Sequence, residues 1–250
     1  MDVKREENYK SKENIMENKA TIMSDNDISK VHTKERILFL AGLLGPIIYI
    51  FNVILGDIIT PNYSHIKNAV SELTQRGAPN IVILSTLFVV SAILILLFGI
   101  AIMMRYKHRN RRLYAGGVLI VIYGIFAALL ASIIPQDPLG GETTFPGTMH
   151  LVIAGLTAFV IMGGILLSGL GMDKQTGQWR SFKLYSVVTV ILVFVFGAPT
   201  PILIMNKIEL LGLFERLTQL AYLQWFVVFA AKFYIESDFD VTKRVKLPWQ

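Results

Sequence analysis

Five stretches of this chain, Ile37 to Gly56, Ile81 to Met104, Leu113 to Ile134, Leu151 to Met172 and Leu184 to Asn206, run for 20 residues or more without one Asp, Glu, Lys or Arg. That length matters because a helix needs about 20 apolar residues to cross a hydrocarbon core of about 30 Å. A sixth stretch, from about Leu217 to Ile235, carries a single charge, Lys232, one turn from its end, where a long side chain can reach the headgroup layer. Irregular backbone cannot face lipid with its polar groups unpaired, and alternating ten-residue strands are not seen. The expected fold is therefore all-α: a six-span transmembrane helix bundle. With 53% hydrophobic and 17% charged residues and a mean hydropathy of +0.54, the composition excludes a soluble enzyme, a disordered chain and a nucleic-acid-binding domain.

The charges are distributed as a topology signal. Of the 24 Lys and Arg residues, 20 fall in the N-terminal tail, the loops after spans two and four, and the C-terminal part with Lys232, and 4 fall in the other three loops. Cytoplasmic loops retain Lys and Arg, so both termini are expected inside the cell membrane. The cluster Arg105, Lys107, Arg109, Arg111 and Arg112 then reads as an inner loop beside anionic lipid, with membrane lipids rather than nucleic acid as the partner. Residues 1–36 mix charges with few aromatics and lack the apolar core of a signal peptide. They are expected to be a mobile cytoplasmic tail ahead of a transmembrane domain at 37–235, with a second cytoplasmic tail at 236–250. Cys is absent, which removes disulfides, thiolate metal sites, Cys nucleophiles and S-palmitoylation together.

Two spans carry helix breakers. Gly45 and Pro46 predict a kink in the first span, since Pro removes a backbone hydrogen bond and crowds the preceding turn. In the fifth, Gly197, Pro199 and Pro201 mark either kinked packing or a broken helix whose freed carbonyls line an outward cavity. Gly116, Gly117 and Gly124, and Gly163, Gly164, Gly169 and Gly171, read as sites of close helix approach.

Chemistry is expected in the outer loops, because the first five spans hold none of the Asp, Glu, Lys or Arg residues that mark ion-coupled pathways. In the first outer loop Ile66, Ala69, Val70 and Leu73 recur at helical spacing, with Ser64 as N-cap and Gly77 as stop, which predicts a short amphipathic helix on the membrane surface. His65, Glu72 and Arg76 would share its polar side, and Glu72 and Arg76, four apart, are spaced to pair. The second outer loop opens with Pro135-Gln136-Asp137-Pro138 and leads to His150 at the start of span four, so Asp137 and His150 are expected at one membrane depth. Glu215 and Arg216 head span six, either as anchors or drawn in to neutralise Asp137 or Glu72. His65 and His150 are the outer histidines; His32 and His108 lie in basic inner segments.

Tyr63-Ser64-His65, Ser71-Glu72-Leu73, Gly77-Ala78-Pro79-Asn80, Pro135-x-Asp137-Pro138, His150 and Gly212-x-x-Glu215-Arg216, in that order, resemble the multi-pass membrane proteins grouped as domain of unknown function 998. The resemblance covers about residues 37 to 235. It implies a six-span membrane protein and carries no established activity. Two functional readings follow from the residues. In the first, Glu72, Asp137, His150 and Arg216 form an extracytoplasmic polar site for a lipid headgroup or small polar ligand, with no cofactor. In the second, His65, His150 and Asp137 hold zinc for a membrane-embedded hydrolase of lipids or other amphiphiles, with Glu72 as base. The second is distantly similar to the hydrolases of the alkaline ceramidase and adiponectin-receptor group, but their pair of histidines four apart on one helix is missing here. Ser71 lacks the Gly-x-Ser-x-Gly elbow that exposes a nucleophile. A channel or transporter would need an axial pore or oligomerisation. With only two outer histidines, binding is the preferred reading.

Overall fold

The computed structural model describes residues 25–138, 140–172 and 181–245. Among the described residues all regular structure is helical: α1 (Asp25–Ile59), a 3-10 turn (Val70–Thr74), α2 (Ile81–Tyr106), α3 (Arg111–Ser132), α4 (Phe145–Met172), α5 (Phe182–Gly197), α6 (Thr200–Met205) and α7 (Leu211–Val245). Residues 25–36 and 236–245, assigned from sequence to the two tails, are helical and extend α1 and α7; the remainder of those tails, 1–24 and 246–250, lies outside the described residues.

Five segments have the length and composition to cross a membrane: Arg36–Ile59, Ile81–Tyr106, Arg111–Ser132, Phe145–Met172 and Phe182–Met205. This is a multi-pass membrane protein. Its spans bury only a minority of their residues inside the bundle, and Phe51, Phe159, Leu184 and Phe194, for example, turn outward. So much apolar surface on so many helices suits lipid as the surrounding solvent. α7 is long enough to cross as well, but Thr218, Gln219, Gln224 and Lys232 dilute its hydropathy. The reason lies in its position: Trp225, Phe226, Phe229 and Phe233, at helical spacing, are fully enclosed, so α7 faces protein more than lipid.

The helices stand in a ring in chain order. Each of α1 to α5 packs on its neighbour in sequence, and α7 closes the circle by packing on both α5 and α1. Close approach follows from the small residues: Gly116 lies against Ser168, Gly117 against the Gly99 carbonyl, and Gly169 against Ser186. α1 runs unbroken through Pro46, and the Ser91 hydroxyl donates to the Gly45 carbonyl at 2.8 Å.

One end of the ring is filled by aromatic side chains. Phe39 of α1, Phe98 of α2, Phe182 of α5 and the α7 stripe pack with ring centroids 4.6 to 6.4 Å apart, and the Trp225 indole donates to the Ser186 hydroxyl at 2.9 Å. Arg105 stands over the Phe39 and Phe233 rings at this end. The other end bears the segments that follow α1, α3 and α6, and the first of these folds inward as a cap.

That cap corrects one expectation from sequence. The first connecting segment forms a five-residue 3-10 turn instead of an amphipathic helix from Ser64 to Gly77. Ala69, Val70 and Leu73 are buried, as their spacing implied, but against Leu84, Phe88 and Leu211 of the bundle, while Ile66 is half exposed. The Glu72 carboxylate sets the local geometry by accepting from the Ala69 amide at 2.7 Å and the Asn68 side-chain amide at 2.9 Å. These bonds satisfy a tight turn, where a continuous helix would use backbone carbonyls.

Candidate functional site

A cavity of about 610 Å³ lies within the ring between the cap and the aromatic plug. Its walls are chiefly apolar, with Tyr49, Phe88, Ile95 and Ala127 midway. Its polar groups include Ser71 of the cap, Gln136, His150 of α4, and Glu215 and Gln219 of α7.

Glu215 sits in the second turn of α7, ahead of the apolar stretch that begins at Leu217. One carboxylate oxygen accepts from the Val70 amide at 2.8 Å, and the other from the Gln219 side-chain amide at 3.1 Å. Burial pushes this carboxyl up to about 7 from an ordinary 4.5, outweighing the Val70 and Ser71 amides and the adjacent Arg216 charge, which lower it; Glu72 adds to the rise. Glu215 thus titrates near neutrality.

Arg216 turns the other way, into the cap. Its guanidinium donates to the carbonyls of His65 at 2.8 Å, Asn68 at 2.9 Å and Gly212 at 3.0 Å, and to the Tyr63 hydroxyl. Burial raises the Tyr63 phenol above its ordinary value, and the Arg216 charge and hydrogen bond offset part of that rise. Gly212 makes the contact possible, because a Cβ there would collide with the His65 and Asn68 carbonyl oxygens.

Asp137 organises a second cluster. Its carboxylate accepts from the Thr144 amide at 2.6 Å and the Thr144 hydroxyl at 2.9 Å, lies over Gly147, and forms an ion pair with Arg76. It therefore caps the start of α4 from the preceding loop, with the helix dipole in its favour. Arg76 also donates to the Thr144 hydroxyl at 2.7 Å, and its amide donates to the Gln136 carbonyl at 2.9 Å, which fastens the first loop to the second. Arg76 reaches Asp137, not the Glu72 expected from i,i+4 spacing, and Arg216 is spent on loop carbonyls, not on Asp137.

His150 lies inside α4, which starts at Phe145, six residues earlier than the uncharged stretch suggested. Its Nδ1 is 2.7 Å from the Ile134 carbonyl oxygen. A carbonyl only accepts, so Nδ1 carries the proton and Nε2 of the neutral ring keeps its lone pair. His65 is half exposed, with Nε2 3.0 Å from an Asp57 carboxylate oxygen at the end of α1. Of the residues singled out from sequence, then, Glu72 and Arg216 both bond to Asn68 of the cap, Asp137 joins Arg76 and Thr144, and His150 lines the cavity. Among the described residues no group of three or more His, Asp or Glu side chains gathers at metal-binding distance.

Sequence reasoning placed Glu215 at the head of the sixth span without seeing that it faces the cavity. The available signal was its adjacency to Arg216: neighbours about 100° apart on a helix point in different directions, which singles out the pair without saying which of the two charges turns inward. Gln136 and Gln219 carried no comparable signal.

Comparison with curated proteins and with solved structures gives no match. The family model described as Protein of unknown function (DUF998) matches residues 43–232, from just past the middle of α1 to the last buried turns of α7 and including both residue clusters and the cavity. This chain belongs to that family.

Proposed function

We propose that the protein is a six-span, non-enzymatic membrane protein that holds an amphiphile in the cavity enclosed by its helices. The observation that carries this reading is the cavity itself: about 610 Å³, within the range of about 300 to 1,000 Å³ typical of small-ligand sites, apolar along its walls and polar where it meets the cap. In this reading α7 is the sixth crossing, and the excess of Lys and Arg beside the aromatic plug puts both termini in the cytoplasm and the cap outside. His150 contacts the ligand head, while Glu72, Asp137 and Arg216 hold the cap in place over it.

The test is what the protein retains. Full-length protein purified in mild detergent should carry about one amphiphile per chain by mass spectrometry of the extract. Ala127→Phe, which fills the middle of the cavity, should lose it while unfolding at a temperature near that of the wild type. Retention by a well-folded Ala127→Phe would overturn the cavity as the site. Stoichiometric zinc, with chelator-sensitive hydrolysis of an amphiphilic ester or amide that His65→Ala and His150→Ala abolish, would overturn the binding reading in favour of the hydrolase.

A further inference from the structure

The cavity wall is incomplete on one side. α4 and α5 are joined at the plugged end, where Gly169 meets Ser186, but the opposite half of α4 and the short α6 scarcely touch. Pro199 and Pro201 mark the junction of α5 and α6, where missing amide donors interrupt the helical bonding although Ala198 and Pro199 keep helical dihedrals. The residues on either side of this seam both line the cavity and reach the lipid-facing surface: Leu151 and Val152 are 47% and 48% exposed, and Met205 is 82% exposed. A Cβ placed on Gly155, which also lines the cavity, would meet nothing within 4 Å. The opening therefore faces the bilayer, and what enters through it comes from lipid.

The charge of the lining narrows the class of head. Among the described lining residues there is one carboxylate, Glu215, and no Lys or Arg. Arg216, next in sequence, gives its guanidinium to the cap carbonyls and Tyr63, and Arg76 gives its own to Asp137 and Thr144. With the Val70 and Ser71 amides and the Gln219 side chain bonded to it, the Glu215 carboxylate still has one acceptor position to offer, and His150 contributes a further acceptor at Nε2. A low-dielectric chamber with acceptors and no fixed cation favours a donor of positive charge and disfavours an anion.

We propose that the cavity admits, sideways from the outer leaflet through the seam between α4 and α6, a single-chain amphiphile with a primary amine head, which the Glu215 carboxylate receives. The proposal rests on the cavity being an amphiphile site and adds the head and the route. One alkyl chain with a small head suits the volume, which falls in the middle of the range for sites that enclose one small ligand.

The experiment uses the full chain in nanodiscs of zwitterionic lipid and scintillation-proximity binding of tritiated hexadecylamine, hexadecanol and hexadecanoate. Hexadecylamine should bind at one per chain and at least tenfold more tightly than either of the others. Glu215→Gln, close to isosteric, should bring hexadecylamine to the level of hexadecanol and leave hexadecanol within about twofold of its wild-type affinity. Gly155→Trp, which fills the seam without entering the packed core, should slow hexadecylamine association at least fivefold. Equal binding of the three probes by the wild type, or an amine preference that persists in Glu215→Gln, overturns the assignment of the head; an unchanged association rate in Gly155→Trp overturns the route. Both results leave the amphiphile site standing. No binding of any of the three overturns that site itself.

Discussion

Glu215 and Asp137 show how differently two partly buried carboxylates can be used. Asp137 is matched by Arg76, by the Thr144 amide and hydroxyl, and by the start of α4. Replacing it with Ala breaks the link between two loops and uncaps a helix, and should destabilise the protein by about 2 kcal/mol, read as a lower midpoint of thermal unfolding in detergent. Glu142→Gln, on an exposed residue of the same loop, should leave that midpoint unchanged. Glu215 is under-compensated, and its folded value of about 7 stands above the ordinary 4.5. The folded state therefore holds the proton more tightly than the unfolded state. That contribution to stability is fully present below about pH 4.5 and is lost as pH rises through about 7, a loss on the order of 3 kcal/mol. Thermal unfolding should show the wild type gaining stability between pH 8 and pH 5.5 relative to Glu215→Gln, and parallel profiles for the two proteins would show that Glu215 titrates as an ordinary carboxyl.

Between elements, the decisive junction is the one between the cap and α7. Gly212 lets the helix come under the His65 and Asn68 carbonyls, and Arg216 one turn later ties them down. Gly212→Ala should cost about 1 to 3 kcal/mol through overpacking against backbone that cannot yield, whereas Gly155→Ala, with open space around its Cβ, should be within about 0.5 kcal/mol of wild type. Chemical denaturation or thermal melting of the pair side by side is the measurement, and equal effects would refute the tight junction. The same junction explains why the amphipathic pattern at Ile66, Ala69, Val70 and Leu73 did not become a surface helix. Its apolar positions found a better partner in α2 and α7 than in the membrane interface, and Glu72 and Arg216 supplied the polar bonds of a tight turn.

At the scale of the whole molecule, the ring arrangement and the charge asymmetry combine into one topology. Single cysteines at Glu142 and Glu209, both exposed, should react with an impermeant thiol reagent on intact cells, and cysteines at His108 and Arg109 should react only after permeabilisation. The native chain has no Cys to confuse the result. Reversed labelling would move the cap and the cavity mouth to the cytoplasmic side.

The sequence by itself determined the helical class, the five apolar segments within a few residues of their ends, and the close helix contacts at glycines such as Gly116 and Gly169, because lipid imposes a length and a hydropathy on each segment independently of its neighbours. It also pointed to the acidic and basic residues between the spans, since charge is scarce elsewhere. What each of those residues touches was decided by tertiary structure alone. Arg76 could have paired with Glu72 and Arg216 with Asp137 at equal local cost; the path of the first loop over the ring gave Arg76 to Asp137 and Arg216 to the loop carbonyls. That choice left Glu215 facing the cavity. Pairing is a matter of which surfaces come within 3 Å, and this depends on how six helices close a ring, which no local pattern records.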